Sequence, residues 1–87
     1  MSEYDDICIR TFLEKQLQLF PERVAETPEE AEEFLEICMA SVCKNIREVR
    51  DCFDEYGADI SGMKKADFEK ADEVFLLPDG RYLVVLA

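Results

Sequence analysis

Between Pro28 and Gly57 the chain carries no proline and no glycine, and this uninterrupted run limits the possible folds more than any other feature. Thr27-Pro28-Glu29-Glu30 opens it with a helix start: a Thr cap, proline at the first helical position, and Glu30 three residues on to complete a capping box. Glu29, Glu30, Glu32 and Glu33 place negative charge near the positive end of the helix dipole. The apolar residues Leu35, Met39, Val42, Ile46, Val49, Phe53 and Tyr56 then recur in alternating steps of four and three. That is a seam of period near 3.5. Phe34, Cys38 and Cys52 widen it, and Gly57 stands at the usual C′ stop. The pattern predicts one long helix from Thr27 to Gly57. About 29 residues at ~1.5 Å each span roughly 43 Å, longer than the roughly 30 Å width of a domain of this size. Such a helix must overhang its domain or pack against a second copy. The alternative is a break near Ser41–Asn45 that leaves two ordinary helices.

Ahead of this run, Ser2 to Phe20 reads as a first helix. Ser2 is its cap, and Ile9, Leu13, Leu17 and Phe20 form its apolar face, with Cys8 and Phe12 beside them. Glu14, Lys15, Gln16 and Gln18 supply its polar side, and Pro21 ends it. The short connection that follows predicts an antiparallel helical hairpin. After Gly57, Ala58 to Gly62 reads as a loop in which Ile60 turns inward. It lacks the acidic spacing of an EF-hand. Lys64 to Lys70 is expected to form a short third helix, anchored by Met63, Phe68 and Ala71.

The tail, Glu73 to Leu86, carries the strand signal. Pro78-Asp79-Gly80 is a hairpin turn in which Gly80 takes the left-handed position. Tyr82, Val84 and Leu86 share one face of the second strand, and Leu83 and Val85 share the other. Both faces are apolar and need cover. The expected fold is therefore α+β, a single domain over residues 1–87. It comprises an N-terminal helical hairpin with one long central helix, a short third helix and a C-terminal two-stranded β-hairpin. Helices on one face leave the other bare. Val74, Leu76, Tyr82, Leu83, Val84, Val85 and Leu86 are accordingly the candidate interface of a homodimer; the competing arrangement has the first helix and the Met63 to Ala71 segment sandwich the hairpin within one monomer.

Chemistry is restricted by what is missing. The chain has no histidine, which removes the commonest general base and metal ligand. No phosphate-binding glycine loop or nucleophile elbow occurs. No catalytic residue, cofactor or metal site is expected, and the protein is read as a non-enzyme. The four cysteines, Cys8, Cys38, Cys43 and Cys52, lack a C-x-x-C spacing. They are expected to be reduced and to pack as small apolar groups, ahead of a disulfide or a metal site. Cys38 and Cys52 on one continuous helix would stand about 21 Å apart. A thiol enzyme built on Cys43 or Cys52 would need a nearby cation to lower the thiol pKa.

The net charge of −11 excludes nucleic acid and anionic membranes as natural partners. It leaves solubility, or recognition of a basic protein, as its uses. The acidic start Met1-Ser2-Glu3-Tyr4-Asp5-Asp6 is neither a secretory nor a transit signal, so the cytoplasm is the expected location. The acidic helical front joined to Glu73-Val74-Phe75-Leu76-Leu77-Pro78-Asp79-Gly80-Arg81-Tyr82-Leu83-Val84-Val85 resembles a group of short, uncharacterised bacterial proteins. Some of these carry a glyoxalase label, but metal-dependent glyoxalases use His and Glu ligands and this chain has no His. The resemblance implies a soluble bacterial protein without an assigned activity. The function expected from the sequence is a small interaction protein that forms a homodimer. The alternative is an acidic inhibitor or antitoxin-like binder of a basic protein.

Overall fold

A computed structural model describes residues 4–57 and 59–86. The proposed cap Ser2 and the loop residue Ala58 lie outside them. The described chain is mixed helix and strand. In order it runs α1 (Asp6–Lys15), a 3-10 turn (Gln16–Gln18), α2 (Pro28–Ile37), β1 (Ser41–Cys43), α3 (Ile46–Tyr56), α4 (Lys65–Lys70), β2 (Val74–Leu76) and β3 (Tyr82–Val84).

The single long helix is the main correction, because α2 stops at Ile37. The Met39 N–H donates to the Glu36 carbonyl (3.2 Å) and the Ala40 N–H to the Leu35 carbonyl (3.0 Å). These are the two bonds of a Schellman stop, and they put the left-handed residue at Met39, φ 57°. Tyr4, from ahead of α1, holds the stop in place: its buried hydroxyl donates to the Ala40 carbonyl at 2.6 Å, with the Leu35 carbonyl at 3.1 Å. The chain then extends as β1 and restarts at Asn45, whose side-chain oxygen accepts the Glu48 N–H (3.0 Å). The Glu48 carboxylate reaches back to the Lys44 N–H (2.8 Å). Asn45-x-x-Glu48 is thus a second helix start inside the run. An unbroken helix of roughly 43 Å would also exceed the longest dimension of the molecule, 37 Å.

The first helix is shorter than Ser2–Phe20. Asp5 caps it by accepting the Cys8 N–H at 3.1 Å. It tightens after Lys15 because Gln16 turns inward rather than lying on the polar side. The Gln16 amide donates to the carbonyls of Leu13 (3.1 Å) and Ala25 (2.9 Å). Its oxygen accepts from the N–H groups of Val24 (2.7 Å) and Ala25 (3.1 Å). Gln16 therefore fastens the connection to α2 by three bonds and its own helix by a fourth, while Leu17, expected inside, is exposed.

The sheet has three antiparallel strands in the order β1-β3-β2, not two. Val42 pairs with Leu83, and Leu83 with Phe75. The hairpin turn forms as its sequence implies, with Gly80 at φ 93° and the Leu77 N–H donating to the Arg81 carbonyl (2.9 Å). Alternation along the central strand β3 sends side chains into two separate cores. Leu83 and Val85, with Phe75 and Leu77, pack against Cys8, Ile9, Phe12, Ala31 and Leu35 of α1 and α2. Phe12 lies at the centre of that core, 5.5 Å from both Phe34 and Phe75 between ring centroids. On the other face, Tyr82, Val84 and Val74 pack with Cys43, Val49, Phe53 and Phe68 of β1, α3 and α4. Breaking the helix is what covers the sheet twice: α2 stays on one face and α3 crosses the other.

Candidate functional site

The residues nominated as a dimer interface are mostly interior. Val74, Tyr82, Leu83, Val84 and Val85 are buried within the one chain, Leu86 is half-buried, and Leu76 is exposed. The bare apolar face that motivated the interface is closed by α3 and α4. The sheet edges are short as well. Val85 donates to Glu73, so Phe75 faces β3 and Val74 directs its N–H and C=O to the free edge. Those two groups are occupied: the N–H donates to the Ala71 carbonyl (3.0 Å) and the carbonyl accepts from the Gln18 amide (3.1 Å). A three-residue edge handled in this way at β2 resists strand addition.

The outer side of α2 is exposed. Its local structure is set by its ends. Thr27 accepts the Glu30 N–H (3.2 Å), Pro28 sits in the first turn, and the Glu30 carboxylate accepts the Glu26 N–H (2.9 Å). Ala31 and Leu35 face inward. At about 100° per residue, Glu36, Glu29, Glu33, Ile37 and Glu30 follow one another around the opposite side, and all five are exposed. Within Pro28–Ile37 there are five glutamates and no lysine or arginine. By contrast, α1 and α4 each balance two acids with two bases.

The glutamates of the first turn suit the helix dipole, but the later ones do not. Glu29 and Glu33, and Glu32 and Glu36, are like charges one turn apart. Glu36 lies in the last turn, where the dipole disfavours an anion and no basic residue offsets it. Among the described residues no ion pair neutralises these glutamates. The ion pairs present join Arg81 to Asp5 (2.8 Å) and Asp79 (2.6 Å), tying the hairpin turn to the start of α1. Set in the acidic face is Ile37, 73% exposed, followed by Met39, 83% exposed. Neither was singled out from the sequence as a surface residue. Met39 had been placed in the apolar seam. The signal that could have located them was the Asn45-x-x-Glu48 restart, which implies a stop ahead of it.

The four cysteines are free, with Cys8 and Cys43 buried and Cys38 and Cys52 half-buried. Cys43 and Cys52 come together, lining one shallow depression with Ser41, Glu48, Asp51 and Glu55. The surroundings are acidic rather than cationic. Burial first, then the neighbouring Cys52 and Glu48, push the Cys43 thiol up to about 12, the opposite of nucleophile activation. Burial raises Cys8 to about 11 and raises Cys38 as well. Among the described residues no group of three or more Cys, Asp or Glu is arranged to hold a metal ion. No described helix is long and apolar enough to cross a membrane. No protein-family model matches the chain, nor does any curated protein or solved structure.

Proposed function

We propose that this chain is a small non-catalytic interaction protein that acts in the cytoplasm, docking the outer face of α2 onto a basic protein surface as an acidic inhibitor or antitoxin-like binder does. The observation that carries this reading is the uncompensated glutamate face of α2 with Ile37 exposed within it. A fold that needed only solubility would gain stability from lysines interspersed at i+4. An all-acidic helix gives up that gain and speeds encounter with a positive partner. Ile37 supplies what charge alone lacks, a central apolar anchor ringed by groups that pair at the rim. The same charge opposes self-association through this face, because two copies would meet with like sign.

The test is capture by the immobilised protein from a lysate at low and high salt, with wild type, Glu33→Lys and Ile37→Ala side by side. A basic protein held by wild type, released by salt, lost with Glu33→Lys and weakened about tenfold or more with Ile37→Ala supports the reading. If no basic protein is retained, or if both variants retain it as wild type does, the reading fails.

A further inference from the structure

We propose that Cys43 and Cys52 are a redox pair that closes to an intramolecular disulfide when a hydroperoxide reaches Cys52. On one continuous helix these residues would stand about 13 Å apart along the axis. The restart at Asn45 instead folds α3 back over the strand that holds Cys43. Cys43 is the last residue of β1, opposite Tyr82, on the sheet face that α3 crosses. Cys52 packs against the same core, and both residues line one depression. Eight residues separate them in the chain, and the shared core and depression bring their side chains together. The other two thiols are kept apart from this pair. Cys8 and Cys38 belong to the core on the opposite face of the sheet, and the Cys38 thiol donates to the Leu35 carbonyl at 3.6 Å.

Exposure assigns the roles. Cys52 is half-buried at the depression and meets the oxidant, while Cys43 is buried. The Cys52 sulfur, giving up its proton, attacks one peroxide oxygen. The S–O bond forms, the O–O bond breaks, and the departing oxygen takes up a proton. The Cys43 sulfur, giving up its proton, then attacks the Cys52 sulfenic sulfur. The S–S bond forms, the S–O bond breaks, and water leaves. The two thiols lose two electrons and two protons, and the hydroperoxide is reduced to an alcohol (or water) and water. Burial first, then the neighbouring Cys52 and Glu48, raise the Cys43 thiol, so Cys43 rests protonated and its attack on the oxidised Cys52 is slow.

The experiment treats the native protein with hydrogen peroxide, then quenches, alkylates and maps the peptides by mass spectrometry. The expected product is a monomer lighter by two hydrogens, with one disulfide joining the Cys43 and Cys52 peptides and with Cys8 and Cys38 alkylatable after denaturation. Cys43→Ser should arrest at a Cys52 sulfenic acid that dimedone traps. Cys52→Ser should form no intramolecular disulfide. A bond to Cys8 or Cys38, a disulfide-linked dimer, or overoxidation of Cys52 without a disulfide in wild type would overturn the proposal. If either variant fails to fold, the wild-type peptide map alone decides.

Discussion

Replacing Met39 by glycine should stabilise the protein, and the sign of the change is diagnostic. Met39 holds φ at 57°, where an L side chain costs roughly 1–2 kcal/mol. Glycine removes that cost and gives back about 0.5–1 kcal/mol of extra chain entropy. Met39 is 83% exposed, so almost no packing is lost. The expected net gain is about 0.5–1 kcal/mol, a rise in Tm of about 2–8 °C for a chain of this size. On a continuous helix the same substitution would lower stability by about 1 kcal/mol. Urea denaturation followed by circular dichroism, with wild type and Met39→Gly at the same pH, separates the two. A loss of stability would refute the left-handed stop and the break it creates. No change would mean that the stop exists without the strain assigned to it.

Gln16→Leu should cost about 2–3 kcal/mol, since it leaves the buried Ala25 N–H and C=O without the Gln16 amide; an unchanged urea midpoint would remove Gln16 from its bridging role. Glu36→Lys should raise stability by about 0.3–1 kcal/mol by placing a cation at the C-terminal end of α2 while weakening capture of a basic partner, and a variant that is both more stable and fully binding would count against the α2 face. The Cys8 backbone N–H and the Arg81 guanidinium hold the Asp5 carboxyl below its ordinary value, and the Arg81 backbone N–H and guanidinium do the same for Asp79. A depressed carboxylate contributes stability above its unfolded pKa and loses it as pH falls through the lower folded value. The melting-temperature difference between wild type and Arg81→Ala should therefore be flat from neutral pH to about pH 4.5 and shrink toward about pH 2; a difference that persists undiminished in acid would assign Arg81 a packing role instead.

Local signals in the sequence were sound where the structure is local. Thr27 and Gly57 do cap helices, Pro78-Asp79-Gly80 does turn the hairpin, and Phe68 does anchor a short helix. The seam misled because its members answer to two cores. Leu35 faces one side of the sheet and Val49 and Phe53 the other, while Met39 and Tyr56, which completed the period, are exposed. What breaks the run is non-local: a tyrosine hydroxyl thirty-six residues away in the chain and a three-residue strand pairing with the C-terminal strand. No helix propensity in Met39–Cys43 reports those partners. Gln16 was assigned to the surface by residue type, and only the fold supplies the backbone groups that draw it inward. The acidic face of α2 was visible as charge, but its lack of any compensating base and the exposure of Ile37 acquire meaning only once α2 ends where it does.

Light scattering of the isolated chain at micromolar concentration and physiological ionic strength tests the central claim most directly, namely that the chain covers both faces of its own sheet and turns its acidic helix toward a different protein. The account predicts a monodisperse monomer of 10.1 kDa. A stable dimer of about twice that mass would contradict it. Dissociation of that dimer by Val84→Lys with the fold intact would return the β-hairpin to the interface.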